Sequence, residues 1–531
     1  MKKPVCFRWP SGILAGPGAL VLGLLLLQGC SATAPSPSVA ISAPARWYAP
    51  LPKAGAGASP EVTRGDSLPH NGSLNSLSQW WRKQNDELLV ELIEAAQAVS
   101  PTVVTARSNI LQAGATRAAS EAALLPTLDG VASLSRGLSA PINRTLVPPP
   151  TTLGRVGLQT SWELDVFGAN RASLSADEQR LEGAEALWHD ARVSVAAEVA
   201  NQYYSLRSCE KLLHVAGSDA LSRAETARLN GLAARAGFTA PATAALARAS
   251  AAESSSRLTQ QRGQCELDVK ALVSLTGLAE PVLRGKLAAQ PADTMQQGIA
   301  GIPSVPAEVL GQRPDVYNAS RSLAAASFEV GSARAQRYPR LSIAGSILTN
   351  RSRTRVFNQN FDTWSVGPLS LTVPLFDGGA SEANLEAAKA RYEEAAGKYR
   401  GAVRQAVREV EEALINLQSA TDRAGDTGVA AEGYRASFTG TEARYKAGLA
   451  SLVELEESRR TLLASQSAVA NLERESRSAW IALYRALGGG WSTASPHAAP
   501  MTFDIPVSAL PSWPHPASTA ALPQSADRSN P

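Results

Sequence analysis

The body of this chain is written twice, which restricts its fold to arrangements in which each half reuses the same supersecondary units. Pro101 and Pro126 answer Pro314 and Pro339, both 213 residues later. Past the first strand region the offset becomes 211 and holds there, pairing Glu198 with Glu409, Gly237 with Gly448 and Gly277 with Gly488. Between these, Phe167-Gly168 answers Phe376-Asp377 at an offset of 209. Offsets that are constant within segments and change only at loops mark a tandem duplication.

Each repeat predicts a helix, two strands around a loop, a long helix, a glycine turn and a second long helix. The first repeat places its helix at 102–125 and its strands at 127–136 and 154–166. The second places them at 315–337, 341–350 and 363–375. In 154–166 the side chains of Val156, Leu158, Thr160, Trp162, Leu164 and Val166 alternate with Arg155, Gly157, Gln159, Ser161, Glu163 and Asp165. That period of two gives a strand with one apolar and one polar face. Leu369, Leu371, Val373 and Leu375 repeat the pattern less cleanly, with Pro368 and Pro374 among them. An exposed soluble sheet is one reading, but about ten residues is the length of a tilted membrane strand. Open edges are not tolerated in hydrocarbon, and the smallest membrane barrels need about eight strands. Four strands in a membrane would therefore have to be pooled between copies of the chain.

The segments 169–229 and 380–446, 61 and 67 residues, run without a breaker. As helices they would span roughly 90–100 Å, the length of a coiled coil rather than of a globular helix. Val403, Val407, Val410, Leu414 and Leu417 step by four and three, and Ala196, Val199, Tyr203 and Leu206 repeat the last four 211 residues earlier. This stripe specifies packing, not chemistry. Gly237 and Gly448 supply the positive φ that turns each helix back. Cys209 lies 28 residues before Gly237 and Cys265 28 after it, so a hairpin with its apex at Gly237 sets them at one height. Equal height in an oxidising compartment predicts a disulfide, possible only if the Cα atoms come within about 7 Å. The second repeat has Ala420 and Ser476 instead, so only the first hairpin would be clipped, leaving the second free to move.

The N-terminus reads as an export signal: Lys2, Lys3 and Arg8, a short apolar run from Ile13 to Leu27, then Leu27-Gln28-Gly29-Cys30. That ending resembles a lipobox, with Cys30 the acylated residue, and Ser31 after it favours the outer membrane. Loss of residues 1–29 lowers the formal charge from +4 to +1, a balance that asks for no nucleic acid. The sequence thus divides into a signal peptide (1–29), a lipidated tether (30–74) leading away from the lipid, a first repeat (75–278), an inter-repeat segment (279–312), a second repeat (313–491) and a Pro/Ala/Ser-rich tail (492–531). No phosphate loop, zinc-protease helix or nucleophile elbow is present, and His70, His189, His214, His497 and His515 lack metal-ligand spacing. No enzyme activity, cofactor or metal is expected.

Several motifs together resemble the TolC-like outer-membrane factors, in the lipoprotein branch typified by NodT-type efflux lipoproteins. They are Gln312-Arg313-Pro314-Asp315-Val316, the corner Pro374-Leu375-Phe376-Asp377-Gly378-Gly379, the hairpin Tyr445-Lys446-Ala447-Gly448 and the closing Leu487-Gly488-Gly489-Gly490-Trp491. The resemblance covers about residues 75–491, in order. It implies a mainly α protein with a membrane β-barrel: a homotrimer with a twelve-stranded β-barrel and a long periplasmic α-helical coiled-coil barrel. A mixed equatorial domain would use 45–85, 280–310 and part of the tail. Implied partners are a periplasmic adaptor, an inner-membrane pump and outer-membrane lipid. The family closes its periplasmic end with two Asp just beyond the second turn. Glu454 and Glu457 stand there in this chain, on one helix face, with Tyr445 nearby, and Glu456 beside them makes a merely solvated acidic face the competing reading. The first repeat has Thr243 at the place of Glu454, so this face is not duplicated. The implied function is the exit duct of a tripartite efflux pump. A type I protein-secretion channel is the alternative within that class, and a periplasmic coiled-coil spacer without a barrel is the alternative outside it.

Overall fold

The computed structural model describes residues 34–40, 47–49, 81, 86–138, 150–290, 313–355 and 357–490. In chain order the elements are α1 (Glu87–Val99), α2 (Pro101–Ala122), β1 (Thr127–Gly137), β2 (Thr151–Leu164), α3 (Ala169–Arg235), α4 (Pro241–Thr276) and α5 (Glu280–Ala289). The second repeat follows with α6 (Pro314–Ala335), β3 (Arg340–Arg353), β4 (Asn358–Thr372), α7 (Ala380–Lys446) and α8 (Leu452–Ala486). The duplication is visible in the lengths: α3 and α7 both have 67 residues, and α4 and α8 have 36 and 35. Helix α3 runs past 229, where the sequence suggested an end, because Asn230-Gly231 is accommodated within it and the turn waits for Gly237.

The strands form one antiparallel sheet in the order β1-β2-β3-β4. All but β1 reach further outward than the apolar alternation indicated, because the added residues are polar: Thr151 and Thr152 on β2, Arg351–Arg353 on β3 and Asn358–Asn360 on β4. Strand β4 also stops at Thr372, before Pro374 and Leu375. Register places Leu128, Leu134, Val156, Leu158, Trp162, Ile347 and Trp364 on one face, all of them exposed. The opposite face is polar: Ser346 bonds Ser365, and the Asn350 amide donates to Thr363. A break in β3–β4 register between Ile343 and Gly345 keeps Leu369 and Leu371 on the apolar face.

The main core lies where α1, α3, α4 and α8 meet, with Leu89, Leu92, Val199, Leu206, Leu272 and Tyr484 buried and Trp81 edge-on to Tyr484. Arg313 of the Arg-Pro-Asp motif is buried beside it. Its guanidinium donates to the Ala486 carbonyl at the end of α8 and pairs with Asp315 and Glu409, which ties the start of the second repeat to its end. The described part of the proposed tether is not loose. The Ser327 hydroxyl donates to the Pro35 carbonyl and the Tyr392 hydroxyl to that of Ser36, while the amides of Tyr48 and Ala49 donate to the Glu411 carboxylate. Trp47 is buried against the α7–α8 core. Residues 34–40 and 47–49 thus lie against α6 and α7 as a strap rather than leading away as a spacer. Cys30, the tail from 491, and 291–312 of the proposed equatorial segment lie outside the described residues.

Candidate functional site: the paired hairpin ends

At the far end from the sheet both helical hairpins reverse by the same device. Gly237 and Gly448 have φ of 79° and 75°, and the next amide, Phe238 or Leu449, donates to the Ala233 or Arg444 carbonyl at 2.8 Å. This closes each helix with a left-handed glycine that a side chain would strain. Pro241 opens α4, and Ser451 opens α8 through a capping box in which Glu454 accepts from the Ser451 amide at 2.8 Å. The Ser-x-x-Glu spacing carries that signal in the sequence.

The residues expected to act here have distinct surroundings. Glu454 is exposed and engaged in its cap, while Glu457 is exposed and faces Arg460 at 3.2 Å. The two project from the same turn of α8 with no partner from the first hairpin among the described contacts. Tyr445 differs: the Asn230 side-chain amide, from α3, donates to its hydroxyl at 2.6 Å. It also packs against a small apolar knot in which Ala247 of the first hairpin meets Leu452 and Leu455 of the second.

A stronger link between the hairpins was not anticipated. Glu456, between the two exposed acids, turns inward, accepting from Ser250 at 2.8 Å and pairing with Arg223. Arg223 also pairs with Asp219 at 2.9 Å, and Arg459 pairs with Glu456 at 2.7 Å and donates to Ser222. Burial pulls the Arg459 guanidinium below its ordinary pKa, and Glu456 pushes back. Two arginines and two carboxylates, nearly buried, therefore join α3 and α4 to α8. The i,i+4 pair Asp219–Arg223 is readable in the sequence, but its partner 233 residues away is not. About three to four turns higher on α3, Cys209 and Cys265 form a disulfide with a Cα separation of 5.6 Å, joining α3 to α4. No group of His, Cys, Asp or Glu able to hold a metal occurs among the described residues.

Comparison with known proteins places this architecture. The family model described as Outer membrane efflux protein matches residues 92–278 and 305–489. Solvent efflux pump outer membrane protein SrpC of Pseudomonas putida is 28% identical over 484 residues, covering 89% of this chain and 98% of that protein. Nodulation protein T of Rhizobium leguminosarum bv. trifolii is 27% identical over 434 residues, 80% of this chain and 90% of its own length. Among solved structures, the outer-membrane channel OprN superposes with a TM-score of 0.71 at 27% identity, covering 78% of this chain and 93% of its own. VceC from Vibrio cholerae gives 0.68 at 26% identity, with 78% and 99% covered.

Proposed function

The chain belongs to the outer membrane efflux protein family, a homotrimeric outer-membrane channel working with a periplasmic adaptor and an inner-membrane pump, and we propose that small molecules cross it by passive conduction, without catalysis by the chain. Three copies pool their strands into a twelve-stranded barrel above a barrel of helices. The observation that carries the conduction reading is the sheet itself: its outer face is apolar, its inner face is polar, and β1 and β4 are unpaired edges that hydrocarbon cannot tolerate until copies close the ring. The solvent efflux relative favours small molecules as cargo over secreted proteins.

The hairpin ends form the gate in this reading. Glu454 and Glu457 would bring six carboxylates around the axis of a trimer, repelling one another and drawing cations, and the Tyr445–Asn230 bond would hold the second hairpin against the first. Cys30 would carry the lipid, which the docked strap beginning at Ala34 supports. In planar bilayers, replacing both Glu454 and Glu457 with Ala should lower cation selectivity and raise conductance. Unchanged values would put both acids in bulk solvent. Mass spectrometry of the mature N-terminus should find a lipid-modified Cys30 as its first residue.

A further inference from the structure

The distal end of the sheet carries a feature that conduction does not use. Residues paired across antiparallel strands share a face, so one row reads Arg136, Thr152, Arg353, Asn358 across the four strands. The next row inward reads Leu134, Gly154, Arg351, Asn360. Both belong to the apolar face of Val156, Leu158 and Trp364, so Arg136, Arg351 and Arg353 point away from the channel. All three are exposed and none is in an ion pair among the described residues; Arg351 donates to Asn358. Asp362, one row further in, is the only described carboxylate on this part of the face. Arg155, at the same rim, lies on the opposite, channel-side face with Asn350.

The rows stand at a telling depth. Arg351 is ten residues from Leu341, the lowest apolar residue of β3, and Arg353 is twelve. At about 3.3 Å per residue and a tilt near 40°, that is roughly 25–30 Å along the membrane normal, the full height of a barrel's apolar band. Guanidinium groups in the middle of that band would cost about 2–4 kcal/mol each, but at its outer edge they meet headgroups. Neighbouring strands are about 4.8 Å apart, so Arg136 and Arg353 stand about 10 Å from each other with Arg351 alongside.

We propose that this outward rim binds the phosphate groups of glycolipid in the outer leaflet, with Arg136, Arg351 and Arg353 as the contacting residues. The inference rests on the outer-membrane reading of the sheet. Guanidinium groups suit phosphate because their planar fork donates two parallel hydrogen bonds, and a net excess of two positive charges per copy at the rim of the apolar face has no ion-pair partner among the described residues.

The test uses full-length trimers in nanodiscs of zwitterionic lipid, titrated with phosphorylated lipid A and with its dephosphorylated form. The wild type should prefer the phosphorylated lipid by about a hundredfold, at roughly fivefold per arginine. The triple variant Arg136→Gln, Arg351→Gln, Arg353→Gln should lose that preference, the corresponding triple Lys variant should keep most of it, and Arg155→Gln should not alter it. Equal binding of the two lipids by the wild type would overturn the proposal, as would a loss in Arg155→Gln matching that of the triple variant. The wild-type and Lys measurements hold even if the Gln variant fails to assemble. Conductance of the same trimers tests the channel reading separately.

Discussion

The two repeats have the same elements but not the same burial. Helix α6 lies between α3 and α7 and buries Val316, Leu323, Ala324, Ala325, Ala326 and Val330; its counterpart α2 packs along α3 and buries only Ala106. Where Ala324 is 4% exposed, Leu111 is 38% exposed. At the foot of the sheet Phe167 stacks on Tyr338 at 5.0 Å, whereas Phe376 and Leu125, their repeat counterparts, are 92% and 62% exposed. The seam between the repeats is thus complete inside the chain, and the matching seam on the outer flanks lacks its other half. A heterologous interface that repeats the internal one closes into a ring. By that symmetry Phe376 and Leu125, and with them α2 and α7, are expected to lie at the seam between subunits.

The comparison breaks most visibly if that outer seam is spoiled. Combining Leu111→Arg with Phe376→Asp should abolish detergent-resistant trimers on gels, while substitutions at exposed Val429 on the hairpin shaft should not. Next in size is the link between hairpins. Glu456→Ala leaves two nearly buried arginines short of a carboxylate, at a cost of about 3–5 kcal/mol. Hydrogen exchange should then accelerate at the ends of α7 and α8 and stay slow around Cys209. Removing the disulfide with Cys209→Ser and Cys265→Ser, which opens a crosslink spanning 56 residues, should cost about 2–4 kcal/mol in urea unfolding. No such loss is available in the second hairpin, where Ala420 and Ser476 stand. A clip engineered there should reduce conductance under oxidising conditions and release it on reduction.

The smallest effect is on pH. Burial, aided by Arg192, lowers the His189 pKa to about 4. The neutral ring is therefore favoured in the folded state, and its contribution is fully present above about pH 6.5, the unfolded value, and is lost as pH falls towards 4. At pH 5 the loss is about 2 kcal/mol at most. Melting temperatures should fall between pH 7 and pH 5 in the wild type and less so in His189→Gln. The equivalent position in the second repeat is the exposed Arg400, so this response belongs to the first repeat alone.

What the sequence made legible is what duplication and glycine placement encode: element order, hairpin lengths, both turns and the equal height of the two cysteines. Strand alternation located the sheet but undercounted it, because its outer ends are polar. Glu456 is the instructive failure. It sits among exposed acids and reads as one of them, and neither Arg223 nor Glu456 has a charged counterpart in the other repeat, where Tyr434 and Ala245 stand. Long-range ion pairs that break the repeat leave no periodic trace. The strap was missed for a different reason: a Ser/Ala/Pro composition looks like a spacer, yet small residues are also what a crowded helix surface admits. A Cβ on Gly331 would come within 3.4 Å of that of Ala34.

That strap is also a ruler. Gly331 precedes Arg340, where β3 begins, by nine residues, of which only those up to Ala335 are helical. Cys30 precedes Ala34 by four residues, which reach at most about 14 Å when extended. The acylation position therefore lies within about 14 Å of Ala34, and Ala34 lies against the end of α6 that leads into β3. A lipid on Cys30 would enter the bilayer beside the foot of its own chain's β3, giving the assembled ring one fixed mooring per subunit and setting how deep the barrel rides. Lengthening the chain between 30 and 34 would leave every contact in the fold intact and release only that depth gauge.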